Sequence, residues 1–401
     1  LDAYLTEYLL GRIDLGVAYR RVVVRDGAVK KVEKGFPWLQ KGDVRDSYGD
    51  GDLAELTTEA GEFLGVAMVN GRARFPVKVL SREKRVIDEQ FFRDRLEAAW
   101  RYREELRIQG TGWRWVHGEA DGLPGLMVDW LAGHAVVQVR NLGMERLKPL
   151  WLPVLAERCQ SVFERSDMAG RLEEGMDELI RPLAGEVPDR VEIEEDGLKY
   201  VVPIKRGLKT GHFFDQRNSH RRLADRVAAG DRVLDLFCYT GGFSLAAAQK
   251  GAVCFGVDTM GEALDIAREN ARLNGVEVPF VTGNAFEYLL ESAAALGPYD
   301  WVILDPPAIA KTKDKRDSLK WGLWKLVHDA IPVVKPGGHL VVCACTAQMG
   351  IEACWEVIQL AAGDRRARVI LEEVTFQDLD HPAVASFPPS LYLKCLWVRV
   401  G

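Results

Sequence analysis

No apolar run in these 401 residues approaches the roughly 18–20 that a membrane-spanning helix needs, so a bilayer is not expected as the solvent. Cysteines are few and odd in number: Cys159, Cys238, Cys254, Cys343, Cys345, Cys354 and Cys395 are scattered along a long chain. That excludes the dense, even framework of a small secreted scaffold, and reduced thiols are expected. The opening LDAYLTEYLLGRID lacks a basic start and a small-residue cleavage site, so no secretory signal is read and a cytoplasmic location is expected. Positive charge is not in excess either; a net charge of −6 argues against indiscriminate binding to nucleic acid, although an average can hide basic faces. Internal repeats and low-complexity tracts are also missing.

What is present suits a globular protein: 47% hydrophobic and 28% charged residues, with a length that suggests two or three domains. Residues 19–82 read as short strands, with a hairpin-like Asp26-Gly27 in YRRVVVRDGAVKKVEKG and further strands in LAELTTEAGEFLGVAMVNG and RFPVKVLS. A small β-barrel is the simplest closure. Basic residues gather at Arg20, Arg21, Arg25, Lys30, Lys31 and Lys34, and again at Arg72, Arg74, Lys78, Arg82, Lys84 and Arg85. A solvated face and a phosphate-contacting surface both account for them.

The period changes to helical over 87–108, and strands with a helix follow to about residue 190, giving an α+β middle region. From about residue 191 strands and helices alternate: RVLDLFCY then GFSLAAAQKG, AVCFGVD then GEALDIARENARLNG, YDWVILD then SLKWGLWKLVHDAI, HLVVCAC then GIEACWEVIQLAAG. Near-continuous apolar strands in such an alternation predict an α/β, doubly wound, mainly parallel sheet. The expected division is 1–82, 83–190 and 191–401.

Open α/β sheets bind ligands at the carboxyl edge of their strands. Asp235 ends one strand before Gly241 and Gly242, and Asp258 ends the next, placed for the two hydroxyls of a ribose. A dinucleotide fold wants G-x-G-x-x-G for its pyrophosphate, whereas only YTGGF stands here. S-adenosylmethionine, with adenine, ribose and an amino-acid tail but no phosphate, fits better. Asn284 and Phe286 in VTGNAFEYL are candidates for the adenine amino group and face, and Asp305 stands at a fourth strand tip before two prolines. Taken singly, Asn284 also reads as a turn residue, and Asp235 or Asp258 as a helix cap, while the combination points to the cofactor.

The last two hundred residues resemble a class I S-adenosylmethionine-dependent methyltransferase with a Rossmann-like, seven-stranded sheet. The fuller set GLKTGHFFDQRNSHRR, DLFCYTGGFS, LDPPAIAKTK, CACTAQM and DHPAVASFPPSLYLKCL resembles the bacterial 23S ribosomal RNA large-subunit cytosine-5 methyltransferases. Upstream, EADGLPGLMVD is similar to that family's middle domain, and GFPWLQKGDV with its strands to its N-terminal PUA domain, an RNA-binding pseudobarrel. The resemblance implies cofactor contacts from Phe213, Gln216 and Arg217 in a flap, and from Asp235, Phe237, Tyr239, Gly241, Asp258 and Asn284; Phe286 and Asp305, at the further strand ends, complete the candidate cofactor-binding set. It implies large-subunit ribosomal RNA as partner. A homodimer is one option for the oligomeric state, which the sequence leaves open. The family usually carries Asp where Asn284 stands.

Carbon 5 of cytosine is too poor a nucleophile to take a methyl group unaided, so a thiolate must first add to carbon 6. The resemblance aligns Cys345 with that nucleophile, in a family pattern of Ser-Cys-Ser; Ala344 and Thr346 replace the serines here, leaving the activation of the thiol open. A thiol with a pKa of about 8.5 needs donors or positive charge to ionise at neutral pH. Asp305 is the expected partner of the flipped cytosine. Cys343, in the apolar VVC run, reads as core, and an inert buried thiol is the alternative for Cys345. No metal is expected, because zinc wants four ligands and only Cys354 is near. Ala308 stands where other RNA cytosine-5 methyltransferases have a second cysteine, so product release needs another base; Lys311 and Lys313 are candidates for phosphate contact. The rival readings are a guanine-nitrogen methyltransferase on the same scaffold and a non-catalytic RNA-binding protein.

Overall fold

The computed structural model describes residues 19–45, 49–293, 295, 297–307 and 315–401. The readings at residues 1–14 and at Ala308, Lys311 and Lys313 lie outside the described residues. The chain forms two compact units. Of the described residues, one takes in those up to Ile193 with Val202–His212 and Leu379–Ser390, and the other those of Glu194–Val201, Phe213–Asp378 and Leu391–Gly401.

In the first unit, β1 (Arg20–Val23), β2 (Trp38–Leu39), β3 (Asp50–Thr57), β4 (Phe63–Asn70) and β5 (Val77–Ser81) form a five-stranded sheet in the order 1-3-4-5-2. Asp26-Gly27 is not the hairpin turn that its sequence suggests. β1 runs parallel to β3, so the chain must cross over between them, and Asp26–Glu33 does so as a helix. Ala28 and Val32, four residues apart, are buried against Val22, Leu56 and Val77, while Asp26 lies in the positively polarised first turn.

A second sheet contains β6 (Gly112–His117), β7 (Leu126–Leu131), β8 (His134–Val139), β9 (Ser161–Ser166) and β10 (Leu179–Gly185) in the order 10-9-8-7-6. The helix expected over 87–108 occupies Glu89–Glu105; Asp88 caps it by accepting the Phe91 N–H at 2.9 Å, and Phe91, Leu96 and Ala99 pack against Trp115 and Val128. Buried Arg103 donates to both oxygens of Asp121 (2.6 and 2.9 Å) and to the Asp380 carbonyl (2.7 Å), which ties the returning segment Leu379–Ser390 to this unit. The hairpin β11 (Arg190–Glu195) and β12 (Leu198–Pro203) follows.

The second unit is built on β13 (Arg232–Leu236), β14 (Val253–Asp258), β15 (Phe280–Thr282), β16 (Tyr299–Leu304), β17 (Val334–Cys345), β18 (Val369–Phe376) and β19 (Leu393–Val400). The strand order is 15-14-13-16-17-19-18, parallel through β17, with β19 antiparallel to both its neighbours. Leu234, Val302, Val342 and Leu396 line one core with Leu323 and Leu326 of the helix Lys315–Ala330 and Val357 and Ile358 of the helix Ile351–Arg365. This is the expected doubly wound architecture. Among the described residues no helix is long and apolar enough to cross a membrane.

Candidate active site

Parallel strands deliver their carboxyl ends to one edge of a sheet, so five sequence-distant residues meet there in strand order: Asn284 after β15, Asp258 on β14, Asp235 on β13, Asp305 after β16 and Cys345 on β17. β19 is antiparallel, so its first residues, Leu393 to Cys395, reach the same edge from the other direction.

Asp235 is buried. Its Oδ2 accepts the Ser244 N–H (3.0 Å) and hydroxyl (2.7 Å), while Oδ1 has no hydrogen-bond partner. Burial pushes its pKa up to about 6, so the carboxyl is poised to gain a cationic or donor partner. An ammonium group would supply both, and the orphaned oxygen thus fits the amino-acid end of S-adenosylmethionine. The following loop has left-handed backbone at Phe237 (φ 65°), Tyr239 (48°) and Gly241 (91°), a turn tight enough to bring chain close to a ligand. Asp258 holds that loop: Oδ2 accepts the Tyr239 N–H at 3.0 Å and Oδ1 the Met260 N–H at 2.9 Å, leaving further lone pairs on each oxygen for hydroxyl donors. Asn284 uses Oδ1 to cap the short helix Ala285–Tyr288 through the Phe286 N–H (2.9 Å). The Phe286 ring meets that of Phe237 edge-on at 6.4 Å, and Phe213 meets Tyr239 in the same way at 5.1 Å.

The FFDQR stretch divides its labour. Gln216 donates from Nε2 to Asp305 Oδ2 at 2.9 Å and accepts the Cys395 thiol at Oε1, 3.5 Å away. Arg217 turns inward: fully buried, it lies 3.5 Å from Glu195 and 3.6 Å from Asp378, with its guanidinium over the Phe214 ring. So enclosed a cation braces the turn that carries Gln216. Asp215 is buried and accepts the Tyr392 hydroxyl at 2.6 Å.

Asp305 carries the largest consequence. Burial, with the nearby carboxylates Asp215 and Asp235 adding to it, raises its pKa to about 7, and the Gln216 N–H only partly offsets them. At neutral pH it can therefore both donate and accept. Cys345 sits beside it, partly exposed at the end of β17, its thiol directed at the Pro306 carbonyl 3.7 Å away. Cys343 is fully buried opposite Cys395 in the β17–β19 ladder, and burial pushes its thiol pKa well above the ordinary value. The two cysteines of CAC thus occupy different environments. Among the described residues no group of three or more His, Cys, Asp or Glu is arranged to hold a metal ion. Sequence reasoning passed over Asp215, Glu195, Tyr392, Lys394 and Cys395, although FFDQR and LYLKCL contain four of them. Their partners are distant in sequence, by as much as 179 residues for Cys395 and Gln216.

A family model for S-adenosylmethionine-dependent methyltransferases matches residues 168–385, and one for PUA-like domains matches residues 22–82. A protein named ribosomal RNA large subunit methyltransferase I from Shewanella denitrificans is 33% identical over 394 residues, covering 95% of this chain and 99% of its own. Its namesake from Aeromonas hydrophila is 35% identical over 388 residues, covering 93% and 97%. Among solved structures, a SAM-dependent methyltransferase from Streptococcus mutans superposes with a TM-score of 0.83 at 22% identity, covering 95% of this chain and 100% of that one. A further methyltransferase, solved with SAH bound, gives 0.84 at 22% identity and the same coverage.

Proposed function

This chain belongs to the S-adenosylmethionine-dependent methyltransferases with an N-terminal PUA-like domain, and from that premise we propose that it methylates carbon 5 of a cytosine in large-subunit ribosomal RNA through a covalent adduct on Cys345. The relatives named above are large-subunit ribosomal RNA methyltransferases, which supports the substrate class. The observation that carries the finer reading is the pairing of a partly exposed thiol with a carboxyl of pKa about 7 at adjacent strand ends. Methylation of an exocyclic nitrogen needs no thiol there.

In this reading S-adenosylmethionine supplies an electrophilic methyl group, bound along Asp235, Asp258, Asn284 and Phe286. The Cys345 thiolate adds to carbon 6 of a flipped cytosine, and the ring electrons move to carbon 5, which takes the methyl. Asp305, protonated, holds the ring nitrogen that gains charge during addition. Loss of the carbon 5 proton to a base then expels the thiolate and restores the aromatic ring. Gln216 keeps Asp305 in register, and Arg217 keeps Gln216. The three-part division at residues 82 and 190, with RNA docking on the first part, belongs to the same proposal.

The test is to incubate the protein with unmodified large-subunit RNA and labelled S-adenosylmethionine and to identify the product nucleoside. 5-Methylcytidine is expected; methylguanosine as sole product overturns the reading. Cys345→Ala should abolish turnover while leaving cofactor binding within about twofold, and unchanged turnover would return Cys345 to a packing role.

A further inference from the structure

Ala344 stands where the resemblance leads one to expect a serine, and Lys394 is its partner across the sheet. In the antiparallel β17–β19 ladder Ala344 pairs with Lys394, so the two side chains share a face, while Cys345 pairs with Leu393 and Cys343 with Cys395 on the other. Lys394 is 5% exposed, and its ammonium donates to the carbonyls of Thr346 and Met349, the first of these belonging to the residue after Cys345. A buried ammonium normally has a carboxylate partner. Among the described residues Lys394 has none; the titratable groups acting on it are Cys354 from the helix Ile351–Arg365, Cys345 from β17 and Cys395 from its own strand. Of these Cys354 and Cys395 are fully buried, and only Cys345 is open to a substrate.

We propose that Lys394 is a positioning residue for the methyl-transfer reaction: it clamps the turn Thr346–Met349 so that Cys345 stays at the strand end, and its fixed positive charge favours the Cys345 thiolate. This rests on the reading of Cys345 as nucleophile. Burial draws the Lys394 pKa down and the three thiols draw it up, which is the reciprocal of a cation stabilising a thiolate. The thiol proton leaves to solvent before the base binds, and elimination at the end of the cycle regenerates the thiolate, so no further reagent is needed. The carboxylates that act on the neighbouring thiols are Asp305 after β16, on Cys343, and Glu352 on the helix Ile351–Arg365, on Cys354.

The experiment is alkylation of the full-length protein by iodoacetamide as a function of pH, read at the Cys345 peptide by mass spectrometry with Cys345→Ala as blank, alongside kcat and cofactor affinity. In the unsubstituted protein the Cys345 midpoint should lie below the ordinary thiol value of about 8.5; a midpoint at or above it overturns the proposal. Lys394→Met should raise the midpoint by about one unit, slow alkylation at pH 7 about tenfold and lower kcat by a similar factor, with cofactor affinity unchanged. Lys394→Arg, which keeps the charge, should recover most of the shift. A midpoint and kcat in Lys394→Met within twofold of the starting protein would sink the idea. Should Lys394→Met lose cofactor binding, Lys394→Gln, which retains an N–H donor without charge, is judged by the same criteria. If Cys345→Ala remains active, the reading of the nucleophile fails; if it is dead but Lys394→Met alkylates normally, only the role of Lys394 fails.

Discussion

At the scale of single residues, the edge of the sheet keeps carboxyls at pKa values that cost stability. Asp305 has a pKa of about 7 against an ordinary 3.8, so between those values the folded state binds a proton that the unfolded state releases. Stability therefore falls as pH rises through this window, and the full penalty is present above pH 7. Asp305→Asn keeps an acceptor for Gln216 and removes the charge. It should stabilise the protein at pH 8 by about 1–2 kcal/mol, after allowance for the partial exposure of the residue, with the gain vanishing near pH 4. Urea melts at the two pH values check this, and an equal effect at both would show that the charge is not the cause. Turnover should fall at the same time, a trade between stability and activity that is expected where a strained site is also the working one.

At the scale of elements, the loop from β13 to the helix Gly242–Ala248 is shaped by backbone that few residues adopt. Gly241 has φ 91°, and a Cβ there would lie 3.0 Å from Phe280 Cζ on β15. Gly241→Ala should cost about 1–2 kcal/mol and raise the KM for S-adenosylmethionine, because the loop that carries Phe237 and Tyr239 must shift. Gly261, at the start of the helix Gly261–Leu273, has open space around its Cβ position. Gly261→Ala is the control, neutral or slightly stabilising in a thermal melt, with cofactor affinity unchanged. A Gly241→Ala enzyme with normal KM would mean that the loop is not part of the cofactor site.

For the whole molecule, a net charge of −6 conceals an uneven distribution. Several basic residues of the first sheet and its surroundings are neutralised locally: Lys31 by Asp43, Lys78 by Glu174, Arg85 by Asp94 and Arg45 by Glu59. Arg20, Arg21, Lys30 and Lys34 are exposed and have no carboxylate partner among the described residues, which leaves their charge available to phosphates. Lys30 and Lys34 are four residues apart at the end of the helix Asp26–Glu33 and share a face. The double variant Lys30→Ala/Lys34→Ala should weaken RNA binding and reduce the slope of log affinity against log salt by roughly 0.7–0.9 for each phosphate that the protein ceases to neutralise, with cofactor affinity untouched. Titrations of ribosomal RNA at several salt concentrations measure the slope. An unchanged slope would return these lysines to a merely solvated face.

The sequence by itself determined the alternation of strands and helices in the second unit and the positions of Asp235, Asp258, Asp305 and Cys345 at the carboxyl edge of its sheet. Those signals are local: apolar runs of strand length, an acid at the run's end, and glycines where the next turn must be tight. It separated the core cysteine from the exposed one because burial follows the apolar run that Cys343 ends. It misread Asp26-Gly27 because a turn dipeptide is ambiguous until the partner strand is known, and the parallel pairing of β1 with β3 demands a crossover. Only the tertiary structure decided that Arg217 turns to Glu195 and Asp378, that the charges of Asp215 and Asp235 help to raise the Asp305 pKa, and that Lys394 lies across from Ala344. Each of these depends on which strand ends become neighbours, and hence on the hydrogen-bonded order of the sheet, to which residues far apart in sequence contribute together.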